Sequence, residues 1–558
     1  MGAITATMVA LLAACGADQT LPPEATISVS LDPSTVIVCV TQSVQFTATV
    51  HNSTNDAVNW SLSGAGCSGD ACGTISTTGL YTAPAAVPDP GLVTVRATSA
   101  ADASKSAGAT ITILPATNVW TWVSGSNTGN QAGNYGTKGV AAPSNVPGAR
   151  LGAVSWADSG GNLWLFGGYG WDSAGSGDLL NDLWKYDPTS NQWIWMSGGH
   201  IVDQPGIYGT KGVSSPTNVP GARWEAESWV DSGGKLWLFG GSGFVANGNY
   251  GKLNDLWNYD PTSNEWTWIS GSDSVDQPGI YGTRGEPSPT NVPGGRWEAV
   301  SWIDASGRLW LFGGMGYDSV GYDDGELNDL WKFEPETLAW TWVSGGDTKD
   351  RLGNYGTKGV SAPSNIPGGR SEAVSWVDSQ DRLWLFGGRG WAAEYTYIPG
   401  EINDLWRFDQ TTLEWTWVSG GNTLGQPGVY GTQGTPSPSN VPGARHWAVS
   451  WADASGNCWL YGGYGYFEAS LWDGLLNDLW KYDPTTLEWT WASGSSSQYQ
   501  AGNYGTQGAV ALSNVPGSRN SSVAWVDPQG RAWIFGGHGL YSAIQQDSYL
   551  NDLWRYDK

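Results

Sequence analysis

Residues 181–188 read NDLWKYDP, and nearly the same eight residues return five more times, starting at Asn254, Asn328, Asn403, Asn477 and Asn551. A period of about 74 residues, held along a chain of 558, marks a repeat architecture rather than one large core. Each period carries four strand-like runs. In the first copy they are AVSW (153–156), LWLFGG (163–168), NDLWKYD (181–187) and QWIWMSG (192–198). Their aromatic and aliphatic content, with turn residues between them, predicts four antiparallel strands per period.

The phase of the repeat adds a detail. The chain ends at NDLWRYDK (551–558), after a third run, while a fourth-type run, NVWTWVSG (118–125), stands alone before the first complete set. The early run should therefore complete the last unit and close a ring, which removes exposed strand edges. The Gly-Gly after each second run and the paired aromatics of the third and fourth runs resemble the kelch repeat, as in the central domain of galactose oxidase. The resemblance implies an all-β fold in which 116–558 is a six-bladed kelch β-propeller closed by strand 118–125. It implies little about function, because propellers of this type serve enzymes, adhesins and scaffolds alike.

Ahead of the repeats, short period-two runs such as TISVSL (26–31), VQFTATV (44–50) and LVTVRATS (92–99) predict a small β-sandwich over 26–114. With Trp60 and the GLYTAP turn it resembles bacterial immunoglobulin-like domains, which implies a spacer. The first residues, MGAITATMVALLAAC, hold an apolar run too short to span a bilayer and resemble a bacterial lipoprotein signal, although no Lys or Arg precedes the run. That resemblance implies a signal peptide at 1–14, lipidation of Cys15, a linker over 15–25, and a lipid-anchored place in the bacterial envelope or, alternatively, secretion. An exported chain permits disulfides. Cys67 and Cys72 in GCSGDAC are one pair, with Cys39 a rival partner, and Cys458 stands where other copies carry an aliphatic strand residue.

Composition sets bounds on partners. The net charge is −25, with only 14% charged residues. Such a surface disfavours nucleic acid and gives no electrostatic hold on anionic membranes, so a membrane is reached only through Cys15. A monomer is expected, and no motif asks for a cofactor. A copper oxidase site of the galactose oxidase kind implies a tyrosine crosslinked to cysteine plus histidine ligands. The propeller region offers one cysteine and three scattered histidines, His200, His446 and His538. YDDGE (322–326) is a weak calcium candidate without loop spacing, and no metal site is expected.

Function should sit where copies differ. The second-to-third loops and the long connections between repeats fall on one face, which is elaborated, while the other face has short turns. Of 37 tryptophans, 30 occupy five repeated strand positions and read as core. Among the rest, Trp171, Trp391 and Trp472 lie in variable loops with other aromatics such as Tyr169, Tyr250 and Tyr395. Trp224, Trp297 and Trp447 follow the arginine that opens a first strand. Glu225, Glu298 and Glu372 share one column with Gly152, Trp447 and Ser521, with His446 beside them. The six arginines of that element (Arg150, Arg223, Arg296, Arg370, Arg445 and Arg519) either ring the channel and receive an anion or pair with carboxylates. Asn and Asp of NDLW are expected to bind backbone. Aromatics with few charges suit a carbohydrate or a protein partner. The expected function is a surface-tethered binding protein. The alternatives are a carbohydrate-active enzyme resembling sialic acid mutarotases, or a structural envelope protein.

Overall fold

Runs with period two and no helical spacing give an all-β chain. In the computed structural model, which describes residues 26–114, 118–394, 397–468, 472–541 and 547–558, one short 3-10 turn at Gly69–Cys72 is the only helix among the described residues. The signal segment 1–14, Cys15, the linker 15–25 and Tyr395 lie outside the described residues. Among the described residues no helix is long and apolar enough to cross a membrane. The chain divides into two units, Met1–Pro115 and Ala116–Lys558.

In the first unit Thr35–Cys39, Ser106–Leu114, Leu92–Ser99 and Val58–Gly64 form one sheet in that order, beside a smaller sheet of Ser43–Gln45, Leu80–Thr82 and Thr74–Ile75. Val93, Val95, Ile111 and Ile113 point inward at period two and pack with Phe46 and Tyr81. Cys67 is bonded to Cys72, and Cys39 remains a buried thiol.

Among its described residues the second unit holds six sheets with four antiparallel strands at their centre, and five smaller three-stranded sheets. In the second repeat these are Glu227–Val230, Leu236–Phe239, Leu256–Asp260 and Glu265–Ser270. In the sixth, Val523–Val526, Ala532–Phe535 and Leu553–Asp557 take their fourth partner from Val119–Ser124, antiparallel to Leu553–Asp557. Neighbouring sheets pack face to face through their aromatics: Val154, Trp156, Trp164 and Phe166 of one against Leu236, Leu238, Trp257 and Tyr259 of the next. First strands neighbour one another in sequence order, and the last neighbours the first. Sheets standing around one axis make a β-propeller.

Each NDLW motif pins its repeat from inside. The Asn behaves as expected and binds backbone: Asn254 donates to the Pro293 carbonyl (3.2 Å) and accepts from the Ser272 amide (3.0 Å). The Asp does not. Asp255 is fully buried and accepts from the Arg223 guanidinium twice (2.7 and 2.8 Å), the Tyr208 hydroxyl (2.6 Å) and the Trp257 indole (2.8 Å). A carboxylate has lone pairs enough for four donors, and no single backbone group could replace them. The same Arg–Asp pair recurs in all six repeats. The arginines, each 1% exposed, line no channel and offer nothing to an anion.

The long connections between repeats also differ from the expectation. Part of each runs back along the outermost strand, while its earlier part stays on the elaborated face, where the Asp350 amide donates to Glu326 (2.7 Å) and Tyr499 to Leu475 (2.8 Å). The Gly139 amide donates to Trp195 and Gly212 to Trp268, a contact repeated up to Gly508 on Trp122. An outer strand otherwise presents an unpaired edge, and the connection covers it.

Candidate functional site

The residues in the column of Gly152 all adopt the left-handed backbone: Gly152 (φ 60°), Glu225 (50°), Glu298 (55°), Glu372 (61°), Trp447 (54°) and Ser521 (48°). Their peptide groups join in a closed circle. The Glu225 amide donates to Gly152 (2.7 Å), Glu298 to Glu225 (3.1 Å), Glu372 to Glu298 (2.9 Å), Trp447 to Glu372 (3.1 Å), Ser521 to Trp447 (2.9 Å) and Gly152 to Ser521 (3.0 Å). This circle fixes the six repeats around the axis and satisfies backbone that would otherwise end in the channel. A left-handed L-residue costs about 1–2 kcal/mol, so glycine is the default here. Only the first repeat uses it. The other five place side chains at the mouth of the channel.

More side chains arrive on ribbons. After each Gly-Gly the second strand continues, turns, and comes back toward NDLW. In the third repeat Met315–Tyr317 pairs with Asp324–Glu326, and Arg296–Trp297 pairs with Met315–Tyr317. In the fourth, Ser371 faces Arg389, which faces Glu401. In the fifth, His446 faces Tyr464, which faces Leu475.

The mouth has two sides. The second to fourth repeats supply acids. Glu298 and Glu372 contact each other, with Glu225 and Glu326 close enough to interact electrostatically. Burial is the main cause that raises them all: Glu225 and Glu372 are pushed up to about 8, Glu326 to about 7, and Glu298 well above the usual carboxyl range. Glu227, on the first strand of the second repeat, is likewise pushed up to about 8 by burial. The Trp447 indole donates to Glu298 (3.2 Å), and the Ser371 hydroxyl to Glu326 (3.3 Å). His446 sits 3.7 Å from Glu372 and 3.6 Å from Glu401. Burial, with Arg389 adding to it, holds its imidazole down to about 3. It is therefore neutral at physiological pH, and these contacts are too long for hydrogen bonds.

The fifth, sixth and first repeats, with Trp224 of the second, supply the other side. A cavity of about 330 Å³ is lined by Leu151, Tyr169, Trp224, Trp447, Asn520, Ser521, His538 and Tyr549. A second, of about 250 Å³, shares Trp447, Asn520 and His538 and adds His446, Tyr464, Leu475, Tyr499 and Asp547. Trp224 meets Trp297 at 4.8 Å between ring centres, which carries the aromatic wall round to the acids.

Seven residues singled out from sequence thus meet at the mouth: Trp224, Trp297, Trp447, Glu225, Glu298, Glu372 and His446. The three loop tryptophans are placed differently. Trp171 binds Asn130 through its indole (3.3 Å), and Trp391, expected in an open loop, is 6% exposed with its indole on Asp350 (3.0 Å). Trp472 is 76% exposed. The carboxylates of YDDGE take different partners: Asp323 pairs with Lys349, Asp324 with Lys252 (3.5 Å), and Glu326 enters the mouth. Among the described residues no group of three or more His, Cys, Asp or Glu is placed to hold a metal ion.

Sequence reading put Glu326 in a calcium candidate instead of the mouth, and missed Glu401, Arg389 and Tyr464. A signal was there. The residue two places before each NDLW runs Leu179, Lys252, Glu326, Glu401, Leu475, Tyr549, and the one after each Gly-Gly runs Tyr169, Ser242, Met315, Arg389, Tyr464, His538. Both columns vary as freely as the Glu225 column does.

No family model matches the sequence, and no curated protein matches it. Among solved structures the chain is similar to YjhT, at 16% identity and a TM-score of 0.43, over 73% of this chain and 95% of that one. It is similar to a fungal alcohol oxidase of the AA5 family in complex with copper, at 15% identity and a TM-score of 0.39, over 75% and 76% of the two chains. A third is a structural-genomics protein of unknown function from Bacteroides thetaiotaomicron, at 9% identity and a TM-score of 0.39, over 96% and 99%.

Proposed function

We propose that residues 116–558 are a six-bladed kelch-type propeller whose channel mouth binds a carbohydrate, carried on an immunoglobulin-like spacer (26–114) and tethered to the bacterial envelope through lipidated Cys15. One observation carries the ligand reading. Five positions that favour glycine hold Glu225, Glu298, Glu372, Trp447 and Ser521, and the fold alone gives no reason for those side chains. A sugar has an apolar ring face and a hydroxyl rim. The wall of Trp224, Trp447 and Tyr169 suits the face, and the carboxyls suit the rim.

The test is a glycan array with the full chain beside two variants. Trp224→Ala with Trp447→Ala should lose binding, while Trp171→Ala with Trp472→Ala should keep it. Retention by the first pair would move the site off the channel, and a blank array for the parent would end the carbohydrate reading. Fractionation tests the anchor: Cys15→Ala should move the protein from membranes to the soluble fraction.

A second reading has its own support. Carboxyls that titrate near neutrality beside a neutral imidazole suit proton transfer on the bound sugar, as an epimerase or mutarotase needs. Exchange between anomers, followed by NMR, would be accelerated by the parent and not by Glu372→Gln.

A further inference from the structure

We propose, resting on the reading of the mouth as a carbohydrate site, that its acid side recognises an ammonium group, so that the ligand is an amino sugar and not a neutral one. The first support is unspent acceptors. Glu225 Oε1, Glu326 Oε2, Glu372 Oε2 and His446 Nδ1 are buried without a hydrogen-bond partner, and Glu326 and His446 are only 3% and 6% exposed. A buried acceptor left unmet is costly, so such a set points to a donor brought by the ligand.

The second support is charge. The nearby arginines Arg296 and Arg370 are committed to Asp329 and Asp404. Lys252 is held by Asp324, while Arg389 acts on Glu326 and Glu372 and Arg370 also acts on Glu326. When ionised, Glu225, Glu298, Glu326 and Glu372 repel one another, with Asp350 adding to the repulsion on Glu326, which with burial favours their protonated forms. One more cation would relieve them. An ammonium directs three donors apart, which fits acceptors spread round a mouth better than the tight shell of a metal ion. The acids indeed form no metal-holding group among the described residues.

The third support is the wall. Ammonium groups favour indole faces. The Lys252 amine already lies 4.8 Å above the Trp297 ring centre, so this wall accepts the proposed kind of contact within the molecule itself.

The proton balance gives the signature. The ligand arrives as an ammonium, a protonated carboxyl loses its proton to the buffer, and carboxylate and ammonium remain paired. Calorimetry of the full chain at about pH 6.5, in two buffers of different ionisation enthalpy, reads this directly. The probes are a glucosamine oligosaccharide and its fully N-acetylated counterpart. The amine form should bind at least about tenfold tighter and release about one proton. Glu298→Gln with Glu372→Gln should lose the preference and the proton release. Glu326→Gln serves in its place if the melting curve shows the double variant unfolded.

Equal affinity, a preference for the acetylated probe, or binding without proton release would overturn the ammonium inference and leave the carbohydrate reading standing. Binding of neither probe, together with a blank glycan array, would overturn both.

Discussion

Replacing Asp255 by Asn keeps the shape of the side chain and removes its charge. Arg223, 1% exposed, would keep its bonds to the Gly240 (2.9 Å) and Gly221 (3.1 Å) carbonyls and lose its counter-ion. Three donors converge on Oδ2, from Arg223, Tyr208 and Trp257, so the new amide must turn its NH2 toward Oδ1's single donor, Arg223 Nη1. Two donors then face each other beside an unpaired guanidinium. Breaking a buried ion pair from one side costs about 3–5 kcal/mol. Tyr208→Phe, which removes one hydrogen bond to a charged group, should cost about 1.5–3 kcal/mol. Urea unfolding followed by tryptophan fluorescence measures both in the full chain. Arg223→Met with Asp255→Leu removes both charges and should cost well under the sum of its single variants, because neither partner is stranded. The reasoning is refuted if Asp255→Asn costs less than about 1 kcal/mol, or if the double variant is additive within about 0.5 kcal/mol.

Further outcomes follow from the mouth and the closure. Glu225 and Glu372, raised to about 8 from an ordinary 4.5, give a contribution to stability that is full below about 4.5 and lost as pH rises through 8. The melting temperature should therefore fall between about pH 5 and 8, and Glu225→Gln with Glu372→Gln should flatten that slope. Asp453, held down to about 2 mainly by its bonds to Lys558, Trp459 and Asn457 against the opposing effect of burial, works the other way: its contribution is lost as pH drops from 3.8 to about 2. Glu225→Gly should raise stability by up to about 1 kcal/mol by relieving a left-handed residue, and weaken ligand binding. Trp120→Ala, in the strand that pairs with Leu553–Asp557, should cost about 3–5 kcal/mol in urea unfolding, more than any exposed loop substitution.

How much of this was legible in the sequence depends on what the residues report. The strands were, because Trp184, Trp257 and their counterparts recur wherever two sheets must fill the same space. The pairing of 119–124 with 553–557 was legible from phase alone, since a repeat cut between its third and fourth strands has one way to close. The partners of NDLW Asp were not. Tyr208 lies 47 residues before Asp255, and only the fold brings it within 2.6 Å. Nor could sequence tell Trp391 from Trp447. Both interrupt the repeat, yet one is buried on Asp350 and the other meets Glu298 across the mouth.

The deeper reason is that the repeat supplies geometry and withholds chemistry. Six equivalent peptides form the circle of hydrogen bonds, and each position on it looks toward the same axis. Any side chain placed there is brought near residues of distant repeats, whatever its neighbours in sequence: Trp447 reaches Glu298, 149 residues earlier. A six-fold frame alone would give a six-fold mouth, with repulsion or redundancy at every position. The frame instead carries acids on three successive repeats and spreads aromatics beside and beyond them, at Trp224, Trp297 and Trp447, so part of the mouth can bind polar groups while the rest excludes water from them. Burial then raises the carboxyls, which the same residues in open loops would not experience. The site is thus a product of which copies depart from the consensus, and the three variable columns around the circle, those of Gly152, Tyr169 and Leu179, are where substitutions should change the ligand without changing the fold.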